Sequence, residues 1–130
     1  MTTAPVQAKT AQKILIVEDE GEMCLLLNIL LSDGEFELEH VKGLIAANEY
    51  LATQQPSLVI LDNKLPDGYG IDFIGIIKKK YPSTKIIMIT GYDPSAEDVA
   101  LENGADIFLE KPFTRQQLFD AVKTLLSQPS

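Results

Sequence analysis

Short apolar runs in this chain each stop at a residue able to do chemistry. Ile14-Leu15-Ile16-Val17 runs into Glu18-Asp19, Leu58-Val59-Ile60-Leu61 into Asp62, and Ile86-Ile87-Met88-Ile89 into Thr90. Ile107-Phe108-Leu109 leads through Glu110 to Lys111. Runs of this length, rich in β-branched residues and separated by helical patterns, read as strands of a parallel sheet buried on both faces. Right-handed crossovers put the C-terminal ends of such strands on one edge, and ligands of open α/β sheets bind outside those ends. Three carboxylates, a hydroxyl and an amine are therefore expected to meet there from distant parts of the sequence.

The segments between the runs carry helical periodicity. Met23, Leu26, Leu27, Leu30 and Leu31 fall on one helical face, closed by Asp33-Gly34. Phe36 to Val41 alternates apolar and polar, the pattern of an edge strand with one solvated face, which leaves His40 pointing outward to solvent. Leu44 to Gln54 is a second helix, stopped before Pro56. Ile71, Ile74 and Ile77 mark a third, with Phe73 and Ile76 widening its apolar face and Tyr81-Pro82 ending it. Ser95 to Glu102 is a fourth, with Ala96, Val99 and Ala100 as a modest contact stripe. The fifth begins at Thr114, where Thr114 and Gln117 form a capping box, and carries Leu118, Ala121, Val122 and Leu125 inward. The expectation is (βα)5, a doubly wound parallel sheet of order 2-1-3-4-5 between helical layers.

Length and charge narrow the function. A chain of 130 residues with 45% apolar content is one folded domain. Residues 1–12 read as a polar, flexible tail and 13–128 as the domain. The tail lacks the basic start and apolar stretch of a signal peptide, and no apolar run spans a bilayer. Cys24 is the single cysteine, set among leucines as a small buried hydrophobe, which fits a reducing cytoplasm. A net charge of −8 argues against nucleic acid as a direct partner. Lys78-Lys79-Lys80 complements the negative end of its helix dipole.

Glu18, Asp19 and Asp62 brought into one cleft repel, so a carboxyl pKa rises or a cation neutralises them. Oxygen-only donors suit Mg²⁺ (or Mn²⁺) better than Zn²⁺. Lys111 supplies a point charge for a phosphoryl oxygen, Thr90 a hydroxyl donor, and Gly91 leaves space for a ligand. Together these groups make a phosphoryl-transfer site. Other readings fail on particular residues. Lys64 and Pro66 sit where a calcium loop needs oxygen ligands. The acidic loop after the first strand disfavours a flavin phosphate, and the Gly-rich loop of a nucleotide site is missing. Asp67-Gly68 after Pro66 is a turn without a chemical role.

Four segments carry a family resemblance: Ile-Leu-Ile-Val-Glu-Asp-Glu (14–20), Leu-Val-Ile-Leu-Asp-Asn-Lys-Leu-Pro-Asp-Gly-Tyr-Gly (58–70), Ile-Met-Ile-Thr-Gly (87–91) and Leu-Glu-Lys-Pro-Phe (109–113). In order and at this spacing, they resemble the receiver domain of two-component response regulators, a flavodoxin-like fold. The resemblance implies that Asp62 accepts a phosphoryl group from the phosphohistidine of a sensor histidine kinase or a histidine phosphotransfer protein. It implies that Asp19 and Asp62 hold Mg²⁺ directly, Glu18 through water, and the Lys64 backbone carbonyl completes the set. Thr90 and Lys111 would bind phosphoryl oxygens, Phe108 would change rotamer with Thr90, and the Lys111-Pro112 bond would be cis. Glu18 stands where aspartate is commoner in the family, and Phe108 where tyrosine is frequent. Lys64 and Tyr92 flank the expected path of hydrolytic water and are expected to slow dephosphorylation.

The expected function is a cytoplasmic signalling switch that modifies itself and turns over no metabolite. A target protein would read the face of the fourth helix, fifth strand and fifth helix, with the domain a monomer or a phosphorylation-dependent dimer. Two alternatives stay open: a constitutive interaction module, and a receiver fragment of a larger regulator with an output domain. Only Gln128-Pro129-Ser130 follow the last helix, so a standalone regulator fits the sequence best.

Overall fold

The structure is a computed structural model that describes residues 12–21, 23, 25, 27, 28, 36–91 and 94–127. Most of the expected tail, Cys24, the Leu26, Leu30 and Leu31 positions, Asp33-Gly34 and Tyr92 lie outside the described residues. Five parallel strands form the central sheet: β1 (Gln12–Val17), β2 (Phe36–Val41), β3 (Leu58–Asp62), β4 (Lys85–Thr90) and β5 (Ile107–Glu110). Their order is β2-β1-β3-β4-β5, as expected from the alternation of strand and helix patterns. Gln12, assigned to the tail by sequence, opens β1. The described residues among 21–28 are helical (α1). They are followed by α2 (Leu44–Thr53), α3 (Ile74–Lys80), α4 (Pro94–Glu102) and α5 (Arg115–Leu126). Among the described residues no helix is long and apolar enough to cross a membrane.

Side chains alternate along each strand, so a strand buried on both faces serves two cores. Leu15, Val17, Val59, Leu61, Ile86 and Met88 pack with Ala47 and Leu51 of α2, Ile74 and Ile77 of α3 and Ala100 of α4. Ile14, Ile16, Leu58, Ile60, Ile87 and Ile89 pack with Leu27 of α1 and with Leu118, Ala121, Val122 and Leu125 of α5. The five strands thus lie between two helical layers. The Thr114–Gln117 capping box that starts α5 is present in both directions, at 3.0 Å and 2.8 Å.

Several sequence expectations are corrected. Ile76 was placed on the apolar face of the third helix, but is 52% exposed. A 3-10 turn, Gly70–Asp72, precedes α3 and resets the helical phase that Ile71 suggested. Val99 was placed in the contact stripe of the fourth helix, but is 44% exposed, leaving Ala96 and Ala100 as the buried contacts. β5 is half-buried because it forms the second edge of the sheet. His40 does not point freely into solvent: it is half-buried, with its Nε2 2.8 Å from the Glu18 carbonyl oxygen.

Asp67 also does more than turn the chain. Lys64–Leu65 and Gly68–Tyr69 form a small antiparallel ribbon, and Asp67 at its tip accepts hydrogen bonds from the Leu44 and Ile45 amides at 2.8 Å and 2.9 Å. It therefore satisfies two orphan donors at the start of α2, where the Gly43 cap has no side chain to do so. A Cβ on Gly43 would lie 2.8 Å from an Asp67 carboxylate oxygen, so a larger residue there would push the Asp67 side chain from its present position.

Candidate functional site

The register levels the strand ends. Val17 pairs Val41 and Leu61, Asp62 pairs Ile89, and Thr90 pairs Glu110. Backbone hydrogen bonds carry the ladder one residue further on each loop: Glu18 N donates to Val41 O at 3.0 Å, Asn63 N to Ile89 O at 3.1 Å, and Lys111 N to Thr90 O at 2.7 Å. The loops that bear the chemistry are thereby fixed to the sheet edge rather than hung from it. Gly70 closes the loop after Asp62, its N–H donating to Asn63 O at 2.7 Å. A Cβ there would overlap the Asp62 backbone carbonyl, so only glycine fits.

A cavity of about 390 Å³ opens at this edge, lined by Asp19, Glu20, Asp62, Lys64, Thr90, Gly91 and Lys111. Asp62 and Thr90 are buried, Asp19 and Lys64 are exposed, and Glu18 lies beneath with no exposed surface. Lys111 Nζ sits 3.0 Å from Glu20 Oε1 and 3.4 Å from both Glu18 Oε1 and Asp62 Oδ1. The structure so brings together Glu18, Asp19, Asp62, Lys64, Thr90 and Lys111 from four separate segments. The Lys111-Pro112 peptide is cis. Phe108 does not line the cavity; it is half-buried against the core on the α2–α4 side of the sheet.

The charges behave as a crowded acidic cleft requires. Burial, then the neighbouring Asp62 charge, pushes the Glu18 carboxyl up to about 7 from an ordinary 4.5. Burial also raises Asp62, against the opposing pull of Lys111 and the Asn63 amide. Burial works against a charged Lys111, but its bond to Glu20 and the charges of Asp62, Glu18 and Glu20 outweigh it and hold the ammonium pKa above its ordinary value. One lysine does not neutralise three acids, and the surplus negative charge suits a cation.

The donor set fits a hard one. Glu18, Glu20 and Asp62 each offer a carboxylate oxygen within 4.8 Å of one another, and among the described residues neither His nor Cys lines the cavity. Mg²⁺ or Mn²⁺ matches such oxygens, and Zn²⁺ does not. Sequence reasoning did not single out Glu20, which stands in this compact group with Glu18 and Asp62, while Asp19 lines the same cavity. The only signal of Glu20 was being the third acid of Glu18-Asp19-Glu20. Asn63 was missed as well: its N–H donates to Asp62 Oδ1 at 2.9 Å, and its side-chain oxygen accepts from Ile71 N at 3.0 Å. It ties the aspartate to the following turn, a role no periodicity announces.

Comparison with known proteins agrees with this architecture. The family model described as Response regulator receiver domain matches residues 14–123. Over 116 residues the chain is 36% identical to response regulator protein PilR of Pseudomonas aeruginosa, covering 88% of this chain and 26% of that protein. It is 37% identical over 121 residues to the KDP operon transcriptional regulatory protein KdpE of Escherichia coli, covering 90% of this chain and 52% of that protein. A CheY-like response regulator receiver domain protein from Methanospirillum hungatei superposes with a TM-score of 0.85 at 27% identity, covering 90% of this chain and 94% of that one. The chain spans about a quarter of PilR and about half of the other curated relatives it matches first.

Proposed function

Because the chain belongs to the response regulator receiver domain family, whose members are the regulatory switches of two-component signal transduction, we propose that Asp62 is its phosphoacceptor. The observation that carries the reading is the juxtaposition of a buried Asp62 with Lys111 and Thr90 in an acidic cavity. In the reaction, an Asp62 carboxylate oxygen attacks the phosphorus of a kinase or phosphotransfer-protein phosphohistidine. The new P–O bond forms as the P–N bond breaks, and the imidazole nitrogen leaves with the bonding electrons. Water later attacks phosphorus, the bond to Asp62 breaks, and inorganic phosphate leaves.

Asp19, Asp62 and the Lys64 carbonyl would hold Mg²⁺ or Mn²⁺, with Glu18 engaged through water; bound there, the ion supplies charge neutralisation for the nucleophile and the incoming phosphoryl group. Lys111 and Thr90 bind phosphoryl oxygens on the side facing β4 and β5. Thr90 moving toward the new dianion draws Phe108 with it and reshapes the α4–β5–α5 face for a protein target. The exposed Val99 and Leu101 of α4 support that face as a contact surface.

Intact-protein mass after incubation with a small-molecule acyl phosphate tests the proposal. One added phosphoryl group is expected with Mg²⁺, none with chelator, and none in Asp62→Asn. No addition to the wild-type chain, under conditions that modify another receiver domain, would overturn it.

A further inference from the structure

Glu20 has no part in the phosphoryl chemistry just described, yet its carboxylate makes the shortest contact to Lys111. The lysine Nζ lies 3.0 Å from Glu20 Oε1 against 3.4 Å from Glu18 and from Asp62. The three acids differ sharply in setting. The Glu20 side chain is 62% exposed, whereas those of Glu18 and Asp62 are 0% and 5% exposed. Glu20 is also held in place from behind, since its backbone N–H donates to Glu18 Oε2 at 3.1 Å.

We infer that Glu20 is a positioning residue for Lys111, holding its ammonium at the mouth of the site while Asp62 is unmodified and surrendering it to a phosphoryl oxygen afterwards. The inference rests on the reading of Asp62 as phosphoacceptor. An ammonium has three N–H donors, and three carboxylate oxygens already surround this one. A phosphoryl group brings strong acceptors and up to two negative charges, so Lys111 must exchange a partner to bind it. A buried carboxylate stripped of its cation has no water to replace it; an exposed one does. Glu20 is therefore the partner that is released. Its pair with Lys111 is weak, as exposed ion pairs are, and so restrains the lysine without trapping it. The side chain meets solvent over most of its surface, so its replacement leaves the fold intact.

The test follows the Lys111 side-chain ammonium resonance by NMR in wild type and Glu20→Gln. Each is measured with Mg²⁺ alone and with Mg²⁺ plus beryllofluoride, which mimics a phosphorylated carboxylate. The two proteins are expected to differ without beryllofluoride and to coincide with it. Identical resonances at rest, or a difference that beryllofluoride leaves unchanged, would overturn the inference. Affinity gives an independent readout. Glu20→Gln is expected to tighten beryllofluoride binding roughly two- to fivefold, the scale of one exposed ion pair, and to have no effect in a Lys111→Met background. A gain that persists without Lys111 would mean that Glu20 acts by direct repulsion instead. If the wild type takes up no beryllofluoride, the phosphoacceptor reading fails and the handover with it. Uptake without convergence of the resonances removes the handover alone.

Discussion

Glu18 buries its whole side chain beside Asp62, and the consequence is a stability that depends on pH and on metal. Its folded pKa of about 7 lies above the ordinary 4.5. The folded chain therefore binds this proton more tightly than the unfolded chain does. The contribution of Glu18 is full below pH 4.5 and is lost as the pH rises through about 7. In chelator, Glu18→Gln is expected to match wild type near the lower limit and to exceed it at pH 8 by on the order of 3 kcal/mol. Urea melts across that range measure the gap, and saturating Mg²⁺ is expected to close it. A gap that widens toward low pH would contradict the assignment. Gly70 offers a second single-residue test. Any Cβ there meets the Asp62 backbone, so Gly70→Ala is expected to cost about 1–3 kcal/mol and to abolish phosphorylation of Asp62. Neither Glu20 nor Asn63 was legible as a site residue in the sequence. The Glu20–Lys111 pair joins residues 91 positions apart, and Asn63 acts through backbone groups of the next turn. Such roles are set by the fold rather than by local pattern.

At the scale of elements, legibility followed burial. β1, β3 and β4 are buried on both faces over most of their length and read as near-continuous apolar runs, so their C-terminal ends and the residues there were plain in the sequence, while the polar first residues of β1 and β4 were not. α5 was equally plain, since its cap and its inward stripe are both local. α4 was not: alanines bury as well as valine when the helix sits close to the sheet, and periodicity alone does not say which side of Val99 faces inward. The structure makes the distinction testable. Val99→Ala is expected to change stability by less than about 0.5 kcal/mol, whereas Ala100→Leu overpacks a fully buried position and is expected to cost about 1–3 kcal/mol. Equal effects in urea denaturation would put α4 in the wrong rotation. The cap that Asp67 places on α2 was illegible for another reason. Its partners lie 22 and 23 residues away, on an element that local sequence pattern does not connect to the turn.

Across the whole molecule, parallel topology does the assembling. Every crossover returns the chain to the same end of the sheet, so the residue after each strand arrives at one edge whatever its distance in sequence. That rule groups Glu18, Asp19, Asp62, Thr90 and Lys111 from the sequence, and the cavity that the last four line, above the buried Glu18, lies where the rule puts it. With a net charge of −8 over the chain and several acids at one edge, a divalent cation bound there would also act as a folding ligand. Mg²⁺ at a hundredfold its dissociation constant is expected to add about 2.7 kcal/mol to wild-type stability. The most direct test of the account is to locate the modification itself. After phosphorylation with a small-molecule donor and Mg²⁺, borohydride reduces an aspartyl phosphate to homoserine, which peptide mass mapping places in the sequence. The account predicts homoserine at position 62 and nowhere else. Reduction at another carboxylate, or none in a chain whose mass shows added phosphate, would contradict it.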